Sequence, residues 1–195
     1  MTVHNRQLSQ PNVMPKITFL IASARENGNS EQLARIAAES LPEKFEQKWI
    51  SLKDLPLPPF EDLRHGDAAY QTPTGNALEM HNITWQSDGI VFVTPLYWYS
   101  VPAPLKLYLD HWSHWMRIAA LDFKNKMRGK DAWAISCSAG PTNEAEPMFT
   151  ALRLSANYMN MNWRGHVLGN GTAAGDVMND TQAIENARKL FNTLT

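Results

Sequence analysis

Residues 17–30 read Ile17-Thr18-Phe19-Leu20-Ile21-Ala22-Ser23-Ala24-Arg25-Glu26-Asn27-Gly28-Asn29-Ser30. The run from Ile17 to Ala22 is short and apolar, the pattern of a strand buried on both faces. From Ser23 onward the residues turn small, polar and charged, and Gly28 lets the backbone turn tightly. The segment from Asn29 to Leu41 then places Leu33, Ile36, Ala37 and Leu41 at a helical period. A buried strand, a polar loop and a helix follow one another directly, and the rest of the chain repeats that theme.

Outward from this stretch, Phe45 to Leu52 reads as a second strand. Asp54 to Asn76 is rich in proline and charge and reads as a long loop, of the kind that is functional or forms a rim. Ala77 to Gln86 predicts a helix, and Gly89 to Thr94 a buried strand. Pro102 to Met116 predicts a helix with Leu105, Leu109, Trp112 and Met116 on one face, proline being tolerated in the first turn. Asp131 to Cys137 is a strand, and Asn143 to Asn160 a helix with Phe149, Leu152, Ala156 and Met159 in register. Asn162 to Leu168 is a last strand, and Asp180 to Leu194 a last helix with Asp180 as its N-cap. Strict alternation of strand and helix implies an α/β fold, a doubly wound parallel sheet with helices on both faces. Ligands of such a sheet bind beyond the C-terminal ends of the strands, where the strand order reverses.

Composition narrows the reading further. The chain has 195 residues, of which 44% are apolar and 19% charged, a globular mixture. Residues 1–15 are polar and read as a flexible arm, and 16–195 as one domain. Lys and Arg total 18 against 19 for Asp and Glu, so no basic excess points to a nucleic-acid partner. The single cysteine, Cys137, excludes a disulfide within the chain and favours a reducing compartment. No apolar signal-peptide core is visible near the N-terminus, so the expected location is the cytoplasm. The uncharged stretch Gly89 to Leu105 is interrupted by Pro95, Pro102 and Pro104 and is too short for a membrane span.

Three loops lie where ligands of such a sheet bind. The loop after the first strand leads into a helix start, where free N–H groups and the positive dipole end attract an anion. Ser23 and Ser30 add hydroxyls, Arg25 adds a permanent charge, and Asn29 with Gln32 fits a capping arrangement. Glu31 in the first turn opposes a bound phosphate unless it points outward. The competing reading is an ordinary capped loop with a surface arginine. The loop after the third strand, Thr94 to Pro104, carries Tyr97, Trp98 and Tyr99 between prolines. Those aromatics need burial by the fold, by a partner chain or by a flat ligand. The loop after the fourth strand, Ser136 to Thr142, is built of small residues that let a planar ligand approach the backbone. Cys137 in it reads as a small buried residue with no histidine base to activate it.

Together these loops resemble the flavodoxin-like NAD(P)H-dependent FMN reductases. The resemblance rests on Ala22 to Ser30 as a phosphate loop, on Thr94-Pro95-Leu96-Tyr97 with Leu105-Lys106 and Asp110, and on Ser138-Ala139-Gly140. It departs from the family at Ala22, where a glycine is usual. It implies a five-stranded sheet in the order 2-1-3-4-5. It also implies FMN phosphate on Ser23, Arg25, Asn29 and Ser30, with Asn27 in the same binding loop. The flavin ring would lie against Pro95, Leu96, Tyr97 and Trp98 and against Ser138, Ala139 and Gly140. Further implications are NAD(P)H as electron donor, a flat small-molecule acceptor (quinone, flavin, nitro or azo compound) and a homodimer or homotetramer. No catalytic side chain and no metal are implied. The alternatives are a flavodoxin-type electron carrier, disfavoured by the net charge of -1, and a fold that has lost its cofactor.

Gly169-Asn170-Gly171-Thr172-Ala173-Ala174 matches a dinucleotide fingerprint, but too little chain follows for the βαβ unit it requires. It reads as a loop at the rim of the site. His111 and His114 share a helix face but lack the third ligand of a zinc site. They are expected to flank Trp112 and Trp115 at a helix face or interface.

Overall fold

A computed structural model of the protein describes residues 14–194. Most of the arm expected over residues 1–15 lies outside them. The strands are β1 (Lys16–Ile21), β2 (Glu46–Ser51), β3 (Gly89–Pro95), β4 (Asp131–Ser138) and β5 (Asn162–Asn170). The helices are α1 (Asn29–Ala38), α2 (Gly75–Gln86), α3 (Ala103–Arg117), α4 (Phe123–Met127), α5 (Glu146–Tyr158) and α6 (Thr181–Lys189). All strand pairs are parallel, as the alternation of elements predicts, and the sheet order is β2-β1-β3-β4-β5, as the family resemblance implies. The order reverses between β1 and β3, so the loops after those strands face each other across a crevice.

The period of two along each strand divides the core into halves. Ile17, Phe19 and Ile21 of β1, Val91 and Val93 of β3, and Trp133 and Ile135 of β4 face α1 and α6. Leu20, Phe92, Ala132 and Ala134 face α2, α3 and α5 on the other side. Alternate residues point to opposite faces, and both faces are covered, so these strands are apolar throughout. Register then brings Pro95, Cys137 and Gly169 side by side at the C-terminal ends of three neighbouring strands.

Some expectations shift. The short helix α4 and the 3₁₀ turns Ala119–Leu121, Thr142–Ala145 and Asp176–Asn179 are additions. Helix α1 stops at Ala38 and α6 at Lys189. The buried stripe of α3 is Leu105, Tyr108, His111, Trp112 and Trp115, with Leu109 and Met116 only half-buried. Trp112 and Trp115 are therefore core residues packed on Phe123 and Tyr108, not surface groups at an interface. His111 Nε2 donates to the Pro58 carbonyl at 2.8 Å, and His114 Nε2 to that of Gln71 at 2.7 Å. Those carbonyls bring no proton, so both ring nitrogens act as donors and pin the long loop to α3. Asp180 caps α6 as expected, its Oδ1 accepting from Ala183 N at 3.0 Å.

Candidate functional site

A cavity of about 240 Å³ opens at the C-terminal edge of the sheet. Its floor is the start of α1. The first ladder bond of that helix runs from Gln32 N to Gly28 O at 2.9 Å, so the N–H groups at positions 29–31 precede the ladder. Ser23 and Ser30, both buried, stand beside them. Gly28 is extended, so its glycine serves close packing and not an unusual φ. A Cβ there would sit 3.2 Å from Ser23 Oγ. Ser23 Oγ also accepts from Arg25 N at 3.1 Å, which shapes the loop.

The acid in the first turn is disposed of locally. Glu31 turns away from the cavity, one carboxylate oxygen accepting from Asn27 N at 3.1 Å and the other from Arg35 Nη2 at 3.0 Å. The Arg35 guanidinium in turn covers the Trp49 ring at 3.5 Å, and Trp49 stacks on Phe19. The negative charge is thus paired on the far side of the helix start.

The capping arrangement is corrected by the structure. Gly28 occupies the N-cap without a side-chain bond, and Gln32 Nε2 donates to Asn27 O at 2.7 Å. Asn29 instead reaches across the cavity edge, donating to Ala173 O at 2.8 Å and accepting from Gly175 N at 2.9 Å. Its side-chain amide is occupied, so what it offers an anion is its backbone N–H.

Of the predicted residues, Ser23, Arg25, Asn29, Ser30, Pro95, Leu96, Tyr97, Ser138 and Ala139 line this one cavity. Asn27, Trp98 and Gly140 do not. Asn27 has a φ of 50° and lines the adjoining polar cleft with Arg35 and Lys53. Trp98 sits at the tip of a tight turn closed by Tyr97 N to Ser100 O and Ser100 N to Tyr97 O, both 3.0 Å. It is 93% exposed, and Tyr99 is 56% exposed. Among the described residues none buries these aromatics, which leaves them free to meet a partner chain or a flat ligand.

The cavity also takes Glu26, Gly28, Cys137, Gly171, Thr172 and Ala174. The last three belong to the stretch with the fingerprint spacing, and its place at the rim agrees with the expectation. Asp176 explains why this stretch is no anion cradle, since its carboxylate accepts from Thr172 N at 3.0 Å and Ala173 N at 2.7 Å. Cys137 is buried and its thiol is pushed up to about 12 by desolvation, so it is inert at neutral pH. Among the described residues, no group of three or more His, Cys, Asp or Glu could hold a metal ion, and no helix is long and apolar enough to cross a membrane.

Known proteins share this fold. The sequence model of NADPH-dependent FMN reductases matches residues 15–192.

This chain belongs to the NADPH-dependent FMN reductase family.

It is 30% identical over 90% of its length to YwqN of Bacillus subtilis (strain 168), which is named for an NAD(P)H-dependent FMN-containing oxidoreductase, and covers 96% of that protein. It is 29% identical to an FMN-dependent NADH:quinone oxidoreductase of Kineococcus radiotolerans, over 68% of each chain. Among solved structures, the Trp repressor binding protein from Bacillus subtilis superposes with a TM-score of 0.71 at 27% identity, over 89% of this chain and 96% of that one. As a member of the family this chain is an oxidoreductase that depends on FMN and NAD(P)H. The donor set agrees with FMN. N–H groups ahead of the α1 ladder and two buried hydroxyls suit a phosphate, and the small residues Ser138 and Ala139 opposite Pro95 and Leu96 suit a flat ring.

Proposed function

We propose that the cavity over the start of α1 holds FMN, and that the enzyme delivers electrons from NAD(P)H to a flat acceptor such as a quinone, a flavin, or a nitro or azo compound. The observation that carries this reading is the convergence of Ser23, Ser30 and the helix-start N–H groups on one side of a cavity walled by Pro95, Leu96 and Ser138 on the other. Ser23, Ser30, Arg25 and the N–H groups at 29–31 would hold the phosphate; the Asn29 side chain would hold the loop. Pro95 to Tyr97 and Ser138 with Ala139 would orient the ring. Bound there, FMN supplies the exchange of electrons between nicotinamide and acceptor. The chain's part is to bind, orient and exclude water, and no side chain is assigned a proton transfer.

Residues 16–195 act as one domain, and the enzyme works in the cytoplasm as a homodimer or homotetramer. The exposure of Trp98 and Tyr99 beside the cavity supports the assembly, because among the described residues none covers them. A single buried cysteine is compatible with a reducing compartment.

The visible spectrum of the purified full chain tests the reading. Oxidised-flavin bands that move to FMN in the supernatant on denaturation are expected, with steady NADPH oxidation when a quinone is added. A colourless protein that takes up no FMN overturns the site. Bound FMN without turnover would favour an electron carrier.

A further inference from the structure

The segment between β5 and α6 has no part in the reading above, yet it forms the outer wall of the cavity at its anion end. Three connections latch it there. Asn29 Nδ2 donates to Ala173 O at 2.8 Å, Gly175 N donates to Asn29 Oδ1 at 2.9 Å, and Arg25 Nη1 reaches Thr172 O at 3.4 Å. On the inner side, Gly171 N donates to Ser138 O at 3.0 Å. The packing leaves no slack at Gly171, where a Cβ would lie 2.8 Å from Asn29 Nδ2 and 3.0 Å from Val177 N.

The wall also has a definite chemistry. Asp176 Oδ2 accepts from Thr172 N, Ala173 N and Thr172 Oγ1, at 3.0, 2.7 and 3.3 Å. These bonds consume the donors that a loop of this kind otherwise turns toward a phosphate, and they hold a carboxylate behind it. Thr172 and Ala174 line the cavity. An anion seated at the start of α1 therefore meets donors on the helix side and a donor-poor wall on the other.

FMN ends in a phosphomonoester, whereas FAD continues from that phosphorus through a second phosphate into adenosine. We propose that the Gly171–Asp176 segment is a specificity element that ends the site at one terminal phosphate, admitting the flavin mononucleotide and rejecting the dinucleotide. The inference rests on the FMN reading and adds the wall to it. Asp176 is a positioning residue here, acting through Thr172 and Ala173.

Titration of the flavin-free full chain with FMN and with FAD, read by quenching of flavin fluorescence, tests this without reference to turnover. The wild-type chain is expected to prefer FMN by more than about tenfold, and Asp176→Ala to lower that preference by at least about tenfold. Asp176→Asn keeps an oxygen for the same three donors and is expected to stay within about threefold of wild type. Thr172→Gly strips the wall and leaves Asp176 its backbone donors, so it is expected to lower the preference even where Asp176→Ala does not fold. Equal affinity of the wild-type chain for both flavins overturns the proposal, as does an unchanged ratio in folded Asp176→Ala and in Thr172→Gly. An equal fall in Asp176→Asn and Asp176→Ala also overturns it, since charge and not the held wall would then be discriminating. A wild-type chain that binds neither flavin sinks the FMN reading itself, whereas FMN binding with an insensitive ratio sinks only the wall.

Discussion

The loops after β1 and β3 face each other across the same cavity and are built on opposite principles. In the first, from Ser23 to Ser30, the backbone strain at Asn27 and the charge of Glu31 are both answered inside the chain. Glu31 ties Asn27 N and Arg35, and Asn29 ties the segment beyond β5. In the second, Trp98 and Tyr99 both adopt positive φ, 50° and 60°, and both are exposed. Their turn is held by two backbone bonds between Tyr97 and Ser100. Positive φ at both central residues is what a type I′ turn demands, and asparagine and glycine satisfy it far better than bulky aromatics. The first loop is complete within one chain. The second carries conformational cost and apolar surface that no other described residue offsets.

The sharpest way to break that contrast is to exchange the consequences of mutation. Arg25→Ala is expected to weaken FMN about 10- to 100-fold, the loss of one charge-assisted contact, by fluorescence titration. Trp98→Ala is expected to leave that affinity within about threefold. Unchanged affinity in Arg25→Ala would remove the first loop from the phosphate site.

Glu31→Ala comes next. It strands Asn27 N and frees the charge of Arg35, and a loss of about 1–3 kcal/mol in urea unfolding is expected. A neutral result would mean that the first loop does not depend on this internal closure.

A smaller effect of opposite sign is expected in the second loop. Trp98→Asn with Tyr99→Gly relieves the left-handed strain, about 1 kcal/mol at the least, and should raise the melting temperature of the isolated subunit by about 2–4 °C. The same change should shift sedimentation toward monomer. If the assembly is unaffected, the aromatic tip is not what the partner covers.

The smallest effect is on pH. Burial holds His81, His111 and His166 below the usual histidine range. The folded protein resists protonating them, so their stability contribution is intact above about pH 6.5 and declines as the pH falls below it. His111 donates to Pro58 O, which keeps its buried Nδ1 without a proton or a partner. Once corrected for the slower intrinsic exchange in acid, amide protection at pH 5.5 against pH 7.5 is expected to fall first around residues 58–71, the loop that His111 and His114 pin, and not in the loop after β1. The opposite order would place the acid-sensitive point elsewhere.

Most of the fold was legible because buried parallel strands are apolar runs, and their helices carry a 3.6-residue stripe. Helix α4 was not, since Phe123 to Met127 is too short to show a period. Trp112 shares a buried face with Leu105 as its spacing predicts, whereas the burial of Trp115 depends on which helix face meets the sheet, which a helix wheel does not show. At the site, Ser23, Pro95 and Ser138 are legible because each lies at or just past a strand end, and Ser30 because it opens a helix. Asn29 looked like a cap, since local spacing was all that could be judged, and its actual partners lie 144 and 146 residues away.

The sequence by itself determined the alternation of strand and helix, the three loops that reach the ligand edge, and the placing of small and hydroxyl residues where a helix begins. These are short-range matters, settled by propensity and period within a few residues. Only the tertiary structure decided that Glu31 turns outward, that Trp98 is left uncovered, and that Gly171, Thr172 and Ala174 close the cavity. Those outcomes depend on the register that sets Pro95, Cys137 and Gly169 abreast. Register is fixed by packing across the whole sheet, and no single stretch of the chain contains it.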